Sequence, residues 1–130
     1  MTRTYKIEKD VKREVKKLLD AHKWFWWMPP ANGFGKAGIS DFHALRAGVF
    51  MAVETKVKTN KPTPMQGAFL NSIAAEDGFA FVVNDTNIEW FSRWLDMFDQ
   101  AVAVAAKGGV PSADIGGPLL DAQKELEKAR

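Results

Sequence analysis

The fold of this chain is most constrained by two segments that follow a two-residue apolar period and are joined by a short turn. The second segment ends in charged residues. The segments span residues 39–45 and 49–57, and Arg46-Ala47-Gly48 forms the turn between them, which predicts a β-hairpin. The second segment is apolar from Val49 to Val53 and then continues as Glu54-Thr55-Lys56. Because a charge at the end of a buried strand costs free energy unless it has a partner, we expect this charge to be paired or functional.

Hydrophobic periodicity on either side of the hairpin predicts three helices and two more strands. Apolar residues at steps of three and four predict helices over residues 5–22, 64–77 and 87–106. Short apolar runs predict strands over 23–28 and 79–83. The order α-β-β-β-α-β-α predicts an α/β fold with a mixed β-sheet flanked by helices.

Two of these helices have recognisable start signals. Thr63 is a suitable N-cap, Pro64 suits the first helical position, and Gln66 can complete a capping box. Asp85 or Thr86 is expected to cap the last helix.

Length and composition favour a single intracellular domain. A chain of 130 residues is the size of one domain, which we place at residues 1–106. Residues 107–130 begin with a Gly- and Pro-rich stretch and are expected to form a linker and a short C-terminal helix or tail. The lack of cysteines excludes a disulfide scaffold and a thiolate zinc site. No apolar run approaches the ~20 residues of a membrane helix, so we expect a cytoplasmic protein with no membrane partner.

The distribution of charge is more informative than its total. The formal net charge is only +2, but basic residues cluster at 3–23 and again at Lys56, Lys58 and Lys61. Such clusters can hold phosphates. The Gly33-x-Gly35 pattern is followed by no helix, so no nucleotide cofactor is expected.

Asp41, Glu54 and Lys56 form the constellation that suggests chemistry. Residues two apart on a strand point to the same side, so Glu54 and Lys56 project together. Pairing of the hairpin brings Asp41 near Glu54. Two converging carboxylates suit a hard divalent cation, and a lysine beside them can offset charge that develops on a phosphodiester oxyanion.

Several motifs together resemble the VRR-NUC family, a branch of the PD-(D/E)XK nucleases. The resemblance lies, in order, in Gly38-Ile39-Ser40-Asp41-Phe42, Gly48-Val49-Phe50, Val53-Glu54-Thr55-Lys56, Pro64-Met65-Gln66 and Phe69-Leu70, and it covers roughly residues 8–83. It implies a restriction-endonuclease-like fold and a metal-dependent endonuclease that hydrolyses DNA. Ser40 stands where the superfamily usually has proline.

The resemblance also implies a role for each matching residue. Asp41 and Glu54 would bind Mg²⁺ or Mn²⁺, with the backbone carbonyl of Thr55 as a further ligand. Lys56 would position the attacking water or stabilise the leaving phosphate, and Gln66 would lie beside it. The family also uses an acid from the first helix, for which Glu14 is our first choice and Glu8 the alternative.

The same resemblance implies a substrate and an assembly. Compact members of the family come from bacteriophages and act as homodimers on branched DNA such as the Holliday junction.

Lys36, Lys58 and Lys61 are the expected phosphate contacts. The aromatic run from Trp24 to Trp27 is expected to be mainly core, with Trp24 or Trp26 able to border the DNA.

Two other functions fit the same residues. One is a non-catalytic nucleic-acid-binding or assembly module that keeps the fold, against which the three converging charges argue. The other is an enzyme that acts on RNA, which composition does not separate from a DNA nuclease.

Overall fold

The computed structural model describes residues 7–30 and 38–107, which form three helices and four strands. The elements, in chain order, are α1 (Glu8–Ala21), β1 (Phe25–Trp27), β2 (Phe42–Arg46), β3 (Val49–Thr55), α2 (Pro64–Ala75), β4 (Phe79–Val83) and α3 (Ile88–Lys107). The α/β class predicted from the sequence is confirmed. The predicted linker and tail lie, beyond Lys107, outside the described residues.

The strands form one mixed sheet in the order β1-β2-β3-β4. β1 and β2 pair antiparallel, as do β2 and β3, whereas β3 and β4 are parallel. The β2–β3 hairpin has Arg46 opposite Val49, so Ala47 and Gly48 form a two-residue loop. Both loop residues have positive φ angles, 52° and 79°, as a type I′ turn requires.

Two helices bury one face of the sheet, which we call the core face. α1 contributes Val11, Val15 and Leu19, which recur at four-residue steps and are fully buried. α3 packs its rings on β4, with the centroid of Trp94 5.1 Å from that of Phe79. The large side chains on one face of α3, namely Phe91, Trp94, Leu95 and Phe98, are therefore buried within the chain.

The opposite face is covered only in part by α2 and is called the α2 face. α2 contacts β3 and β4, and Leu70 is its buried residue. β4 is an edge strand, so four of its five residues are only partly buried, contrary to the fully buried strand that its apolar sequence suggests.

The predicted start of α2 is confirmed, whereas that of α3 differs. Thr63 Oγ1 accepts a hydrogen bond from the Gln66 amide (3.2 Å), and Gln66 Oε1 accepts one from the Thr63 amide (2.9 Å). At α3, Asn84 and Asn87 exchange side-chain-to-backbone hydrogen bonds of 2.8 and 3.0 Å. Asp85 instead accepts a hydrogen bond from the Lys58 amide (2.6 Å), which ties the loop after β3 to the start of α3.

No helix among the described residues has both the length and the apolar character needed to cross a membrane.

Candidate metal centre

Three carboxylates meet at the end of the sheet where β2 begins and β3 ends. The pairing of Phe42 with Val53 places Asp41 opposite Glu54, one step further along the hairpin. Glu8 reaches the same place from the first turn of α1. One carboxylate oxygen from each of the three residues lies within 4.8 Å of the others. The convergence of Asp41 and Glu54 predicted from the hairpin is therefore present in the structure.

Thr55 holds Asp41 in position. The Thr55 amide and hydroxyl both donate to Asp41 Oδ2, at 2.9 and 2.7 Å. Burial raises the pKa of Asp41, but hydrogen bonds from Glu54 and Thr55 outweigh it, so that the pKa lies below its ordinary value of 3.8. Asp41 is thus an anion at neutral pH.

Glu54 is buried beside that anion and is only partly paired. Its side chain is 1% exposed, and its Oε2 atom is buried with no hydrogen-bond partner. Burial, a hydrogen bond to Asp41 and the negative charge of Asp41 raise the pKa of Glu54 from 4.5 to about 8. Lys56 opposes this rise and Glu8 adds to it. A buried polar atom without a partner is costly, and Glu54 Oε2 is free to accept a bond from another group.

The first helix contributes Glu8 to this cluster rather than the preferred candidate Glu14. The two residues are six positions apart on α1, which corresponds to ~9 Å along a helix axis. Glu14 is absent from the carboxylate groups that converge among the described residues. The sequence spacing suited both residues, and the packing of α1 places its first turn, and therefore Glu8, at this end of the sheet.

The structure adds Lys12, which sequence reasoning did not single out. Its Nζ atom lies 3.5 Å from Asp41 Oδ1 and 3.9 Å from Glu8 Oε1. The four-residue spacing of Glu8 and Lys12 on α1 favours their ion pair, whereas the approach of Lys12 to Asp41 depends on how α1 packs against the sheet. Lys12 therefore gives the cluster a counter-charge.

Lys56 and Thr55 follow Glu54 at the end of β3. The Lys56 amide donates to the Val83 carbonyl (3.0 Å), so the backbone there is held by the parallel β4 strand. The Lys56 side chain is half-buried and close enough to Glu54 for its positive charge to lower the pKa of Glu54. Thr55 contributes its amide and hydroxyl to Asp41, whereas a role for its carbonyl stays a prediction.

Gln66 lies near the segment that leads to Asp41, although its side-chain oxygen is engaged in the capping box of α2. Gly38 has a φ of +77°, and a Cβ there would lie 2.8 Å from the Gln66 amide nitrogen and 2.5 Å from the Met65 carbonyl carbon. Only glycine permits this close approach. The capping role of Gln66 is confirmed, and its proximity to Lys56 stays a prediction.

The structure describes two of the three lysines that are expected to contact phosphates. Lys58 and Lys61 are exposed on the loop that follows β3, and Lys58 has a left-handed φ of 54°. Lys36 lies outside the described residues.

A second charged cluster lies at the opposite end of the sheet. His22 Nδ1 and Asp99 Oδ2 are 2.6 Å apart, and Arg46 forms an ion pair with the other oxygen of Asp99. Asp96 lies 3.7 Å from His22 Nε2, and the group borders a cavity of about 210 Å³. Since both oxygens of Asp99 are paired, this cluster is satisfied internally. Arg46 lies at the hairpin turn, and no sequence pattern predicted its ion pair with Asp99 of α3.

No family model matches this chain, and no curated protein matches it. The resemblance to the VRR-NUC family stays a prediction that rests on the quoted motifs.

Proposed function

We propose that this protein is a metal-dependent endonuclease of the PD-(D/E)XK type, with a restriction-endonuclease-like fold, that hydrolyses phosphodiester bonds in DNA. One observation carries the proposal. Glu54 Oε2 is buried without a partner beside Asp41 and Glu8, on the strand that continues into Lys56. Burial of an unpaired carboxylate costs free energy, and a metal ion bound to it would offset that cost.

The donor set fits Mg²⁺ or Mn²⁺. All three side chains offer carboxylate oxygens, which hard divalent cations prefer, and no thiol or imidazole is among them. When bound, such a cation polarises a phosphoryl oxygen and lowers the pKa of a bound water. Asp41, Glu54 and Glu8 would hold it, and the Thr55 carbonyl is a further candidate ligand.

The remaining residues would act on the DNA itself. The Lys56 ammonium follows Glu54 on the same side of the strand, where it can orient a water or stabilise negative charge on the phosphate. Lys58 and Lys61 are exposed on the adjoining loop and can contact neighbouring phosphates, and Lys36 is a further candidate. Branched DNA is the proposed substrate, and a two-fold homodimer would present two active sites to its equivalent strands.

The test is cleavage of a labelled panel that contains a four-way junction, a flap, a linear duplex, a single strand and an RNA hairpin. Each is incubated with Mg²⁺, Mn²⁺ or EDTA, beside Asp41→Ala and Lys56→Ala. We expect metal-dependent cleavage that both substitutions reduce by at least about 100-fold, as loss of a charge-stabilising group does. Binding without cleavage in either metal would overturn the proposal in favour of a non-catalytic module, and preferred cleavage of RNA would redefine the substrate.

A matched pair of variants tests the assignment on α1. Glu8→Gln removes a carboxylate of the cluster, whereas Glu14→Gln removes one that lies six positions further along the same helix. We expect a large loss of activity only from Glu8→Gln. The opposite result would restore Glu14 as the helix-borne acid.

A further inference from the structure

An aromatic surface lies beside the carboxylates on the α2 face of the sheet. Strand alternation and register place Phe25, Trp27, His43, Leu45 and Phe50 together there. Phe25, Trp27 and Leu45 are 68%, 38% and 41% exposed, which is unusual for side chains this large. We call these five side chains the aromatic surface. The sequence favoured Trp24 or Trp26 for such a position, but both face the core side, where Trp24 is buried against Phe98 (4.7 Å between centroids).

The rings form a connected row that ends at α2. The centroid of Trp27 lies 5.6 Å from both Phe25 and His43. His43 in turn lies 5.3 Å from Phe50 and is stacked on Phe69 of α2 at 5.6 Å, with an interplanar angle of 8°. His43 and Phe50 are thereby held in place by their neighbours, and Trp27 and Phe25 present their rings to solvent.

This surface adjoins the candidate metal centre. Asp41 immediately precedes β2 and lies two residues before His43, whose register partner is Trp27. Two strand steps of ~3.3 Å and one strand spacing of ~4.8 Å put the Trp27 Cα roughly 8 Å from that of Asp41. A nucleotide next to a phosphate held at the carboxylates could therefore reach Trp27 with its base.

The charges around the surface suit a polyanion. Glu54 is the only acidic residue in β1, β2, β3 and α2, and α2 has no charged residue at all. Exposed lysines 58 and 61 lie on the loop after β3, beside the carboxylates. Within these four elements a crossing strand therefore meets a carboxylate only at the metal centre, whereas Glu76 and Asp77 follow α2 directly.

We propose that the aromatic surface binds unpaired bases of the substrate strand by stacking on Trp27 and Phe25, next to the phosphate held at Asp41, Glu54 and Glu8. This inference rests on the proposed nuclease function and specifies its substrate as DNA with unpaired nucleotides at the cleavage point. Aromatic rings are suited to this role because every base has a stacking face, whatever its sequence. A second copy of the chain is a poorer occupant, since three exposed apolar side chains are few beside the ~20–30 residues that each partner contributes to a standard interface.

The test measures binding in EDTA, where a metal-dependent reaction does not proceed, with fluorescein-labelled oligothymidylate and a blunt duplex as probes. Trp27→Ala is expected to weaken oligothymidylate binding by about 10-fold or more, as loss of one stacked base does, and to change duplex binding little. Phe25→Ala should act in the same direction. Trp27→Phe keeps a ring and should retain most of the affinity. Val104→Ala is the control, because it removes an exposed apolar side chain (59% exposed) from α3.

The outcomes separate this inference from the proposed function. If Trp27→Ala selectively loses oligothymidylate binding and the wild-type protein cleaves no substrate, the base-stacking inference is supported and the proposed nuclease function is rejected. Cleavage with normal oligothymidylate binding by Trp27→Ala would overturn the base-stacking inference and leave the nuclease standing. Conversion of a dimer to a monomer by Trp27→Ala, with unchanged oligothymidylate affinity, would also overturn it and identify a second copy as the occupant.

Discussion

Thr55 donates both its amide and its hydroxyl hydrogen to a single oxygen of Asp41, at 2.9 and 2.7 Å. The other oxygen, Oδ1, faces the Lys12 ammonium at 3.5 Å. Asp41 is thus oriented by β3 before any ligand arrives. Groups that orient a metal ligand commonly affect metal affinity and activity by 10- to 100-fold, although they never touch the metal.

The first prediction follows from that arrangement. Thr55→Val keeps the side-chain shape and the amide hydrogen bond but removes the hydroxyl, so Asp41 loses one of the two hydrogen bonds from Thr55. We expect activity at limiting Mg²⁺ to fall by about 10-fold and saturating Mg²⁺ to restore part of it. Thr55→Ser retains the hydroxyl and is the control. Equal activity of the Val and Ser variants at every Mg²⁺ concentration would contradict the orienting role.

The second prediction concerns Glu54 and the pH dependence of stability without metal. Folding raises the pKa of Glu54 from 4.5 to about 8. Between about pH 4.5 and pH 8, therefore, Glu54 is protonated in the folded protein and ionised in the unfolded chain. The free energy of unfolding then falls as pH rises through this window, since the unfolded state binds fewer protons there. The full effect is on the order of 5 kcal/mol at most and is complete above about pH 8.

Glu54→Gln tests this linkage. The amide cannot ionise and can still donate a hydrogen bond to Asp41, so the variant should lose the decline in stability between neutral and alkaline pH. Thermal unfolding in EDTA at pH values from about 6 to 9 measures the difference, with Glu14→Gln as the control. The variant should be more stable than the wild type at alkaline pH, although its activity is lost. A wild-type protein whose stability does not fall over this range would show that Glu54 ionises at its ordinary pKa.

The third prediction concerns Lys12 as a competitor for the carboxylates. Its ammonium lies near oxygens of Asp41 and Glu8 that would also bind a cation, so its positive charge opposes metal entry. Lys12→Met keeps the aliphatic stem on α1 and removes the charge. We expect the Mg²⁺ concentration for half-maximal thermal stabilisation to fall by roughly 2- to 5-fold, the range expected for a partly exposed ion pair.

Lys17→Met is the matched control for Lys12, because Lys17 is an exposed lysine on the same helix. It should leave the Mg²⁺ dependence close to that of the wild type. Weaker Mg²⁺ binding by Lys12→Met would instead mean that Lys12 orients the carboxylates for the metal.

Local patterns in the sequence predicted those parts of the fold that depend on neighbouring residues. The hairpin pairing of Asp41 with Glu54 and the capping box of Thr63 and Gln66 each arise within a short stretch of chain. Strand alternation and helix capping act over a few residues, so composition and spacing are sufficient to predict them.

Features that depend on packing between distant elements were not predictable in the same way. The choice of Glu8 over Glu14 depends on which turn of α1 reaches the end of the sheet, and the sequence spacing suited both. The approach of Lys12 to Asp41 and the pairing of Arg46 with Asp99 likewise join residues that are far apart in the chain. The aromatic run offered several rings, and only the register of β1 against β2 decided that Phe25 and Trp27 are the exposed ones.

The fourth prediction concerns the turn that sets the hairpin register and hence the position of Asp41 opposite Glu54. Ala47 has a φ of 52°, a left-handed conformation that costs a residue with a Cβ about 1 kcal/mol. Asn at this position tolerates the conformation, and Asn-Gly is the preferred pair for a type I′ turn. Ala47→Asn should therefore stabilise the protein by roughly 0.5–1 kcal/mol without loss of nuclease activity.

Chemical denaturation of Ala47→Asn and Ala47→Gly beside the wild type measures this effect. Glycine also accepts positive φ but adds freedom to the unfolded chain, so its gain should be smaller than that of Asn. Gly48→Ala is the opposing control, because it puts a Cβ at a φ of 79° and should destabilise the protein. Destabilisation by both Asn and Gly at position 47 would mean that the hairpin does not close through a type I′ turn, and the register that brings Asp41 to Glu54 would then need another explanation.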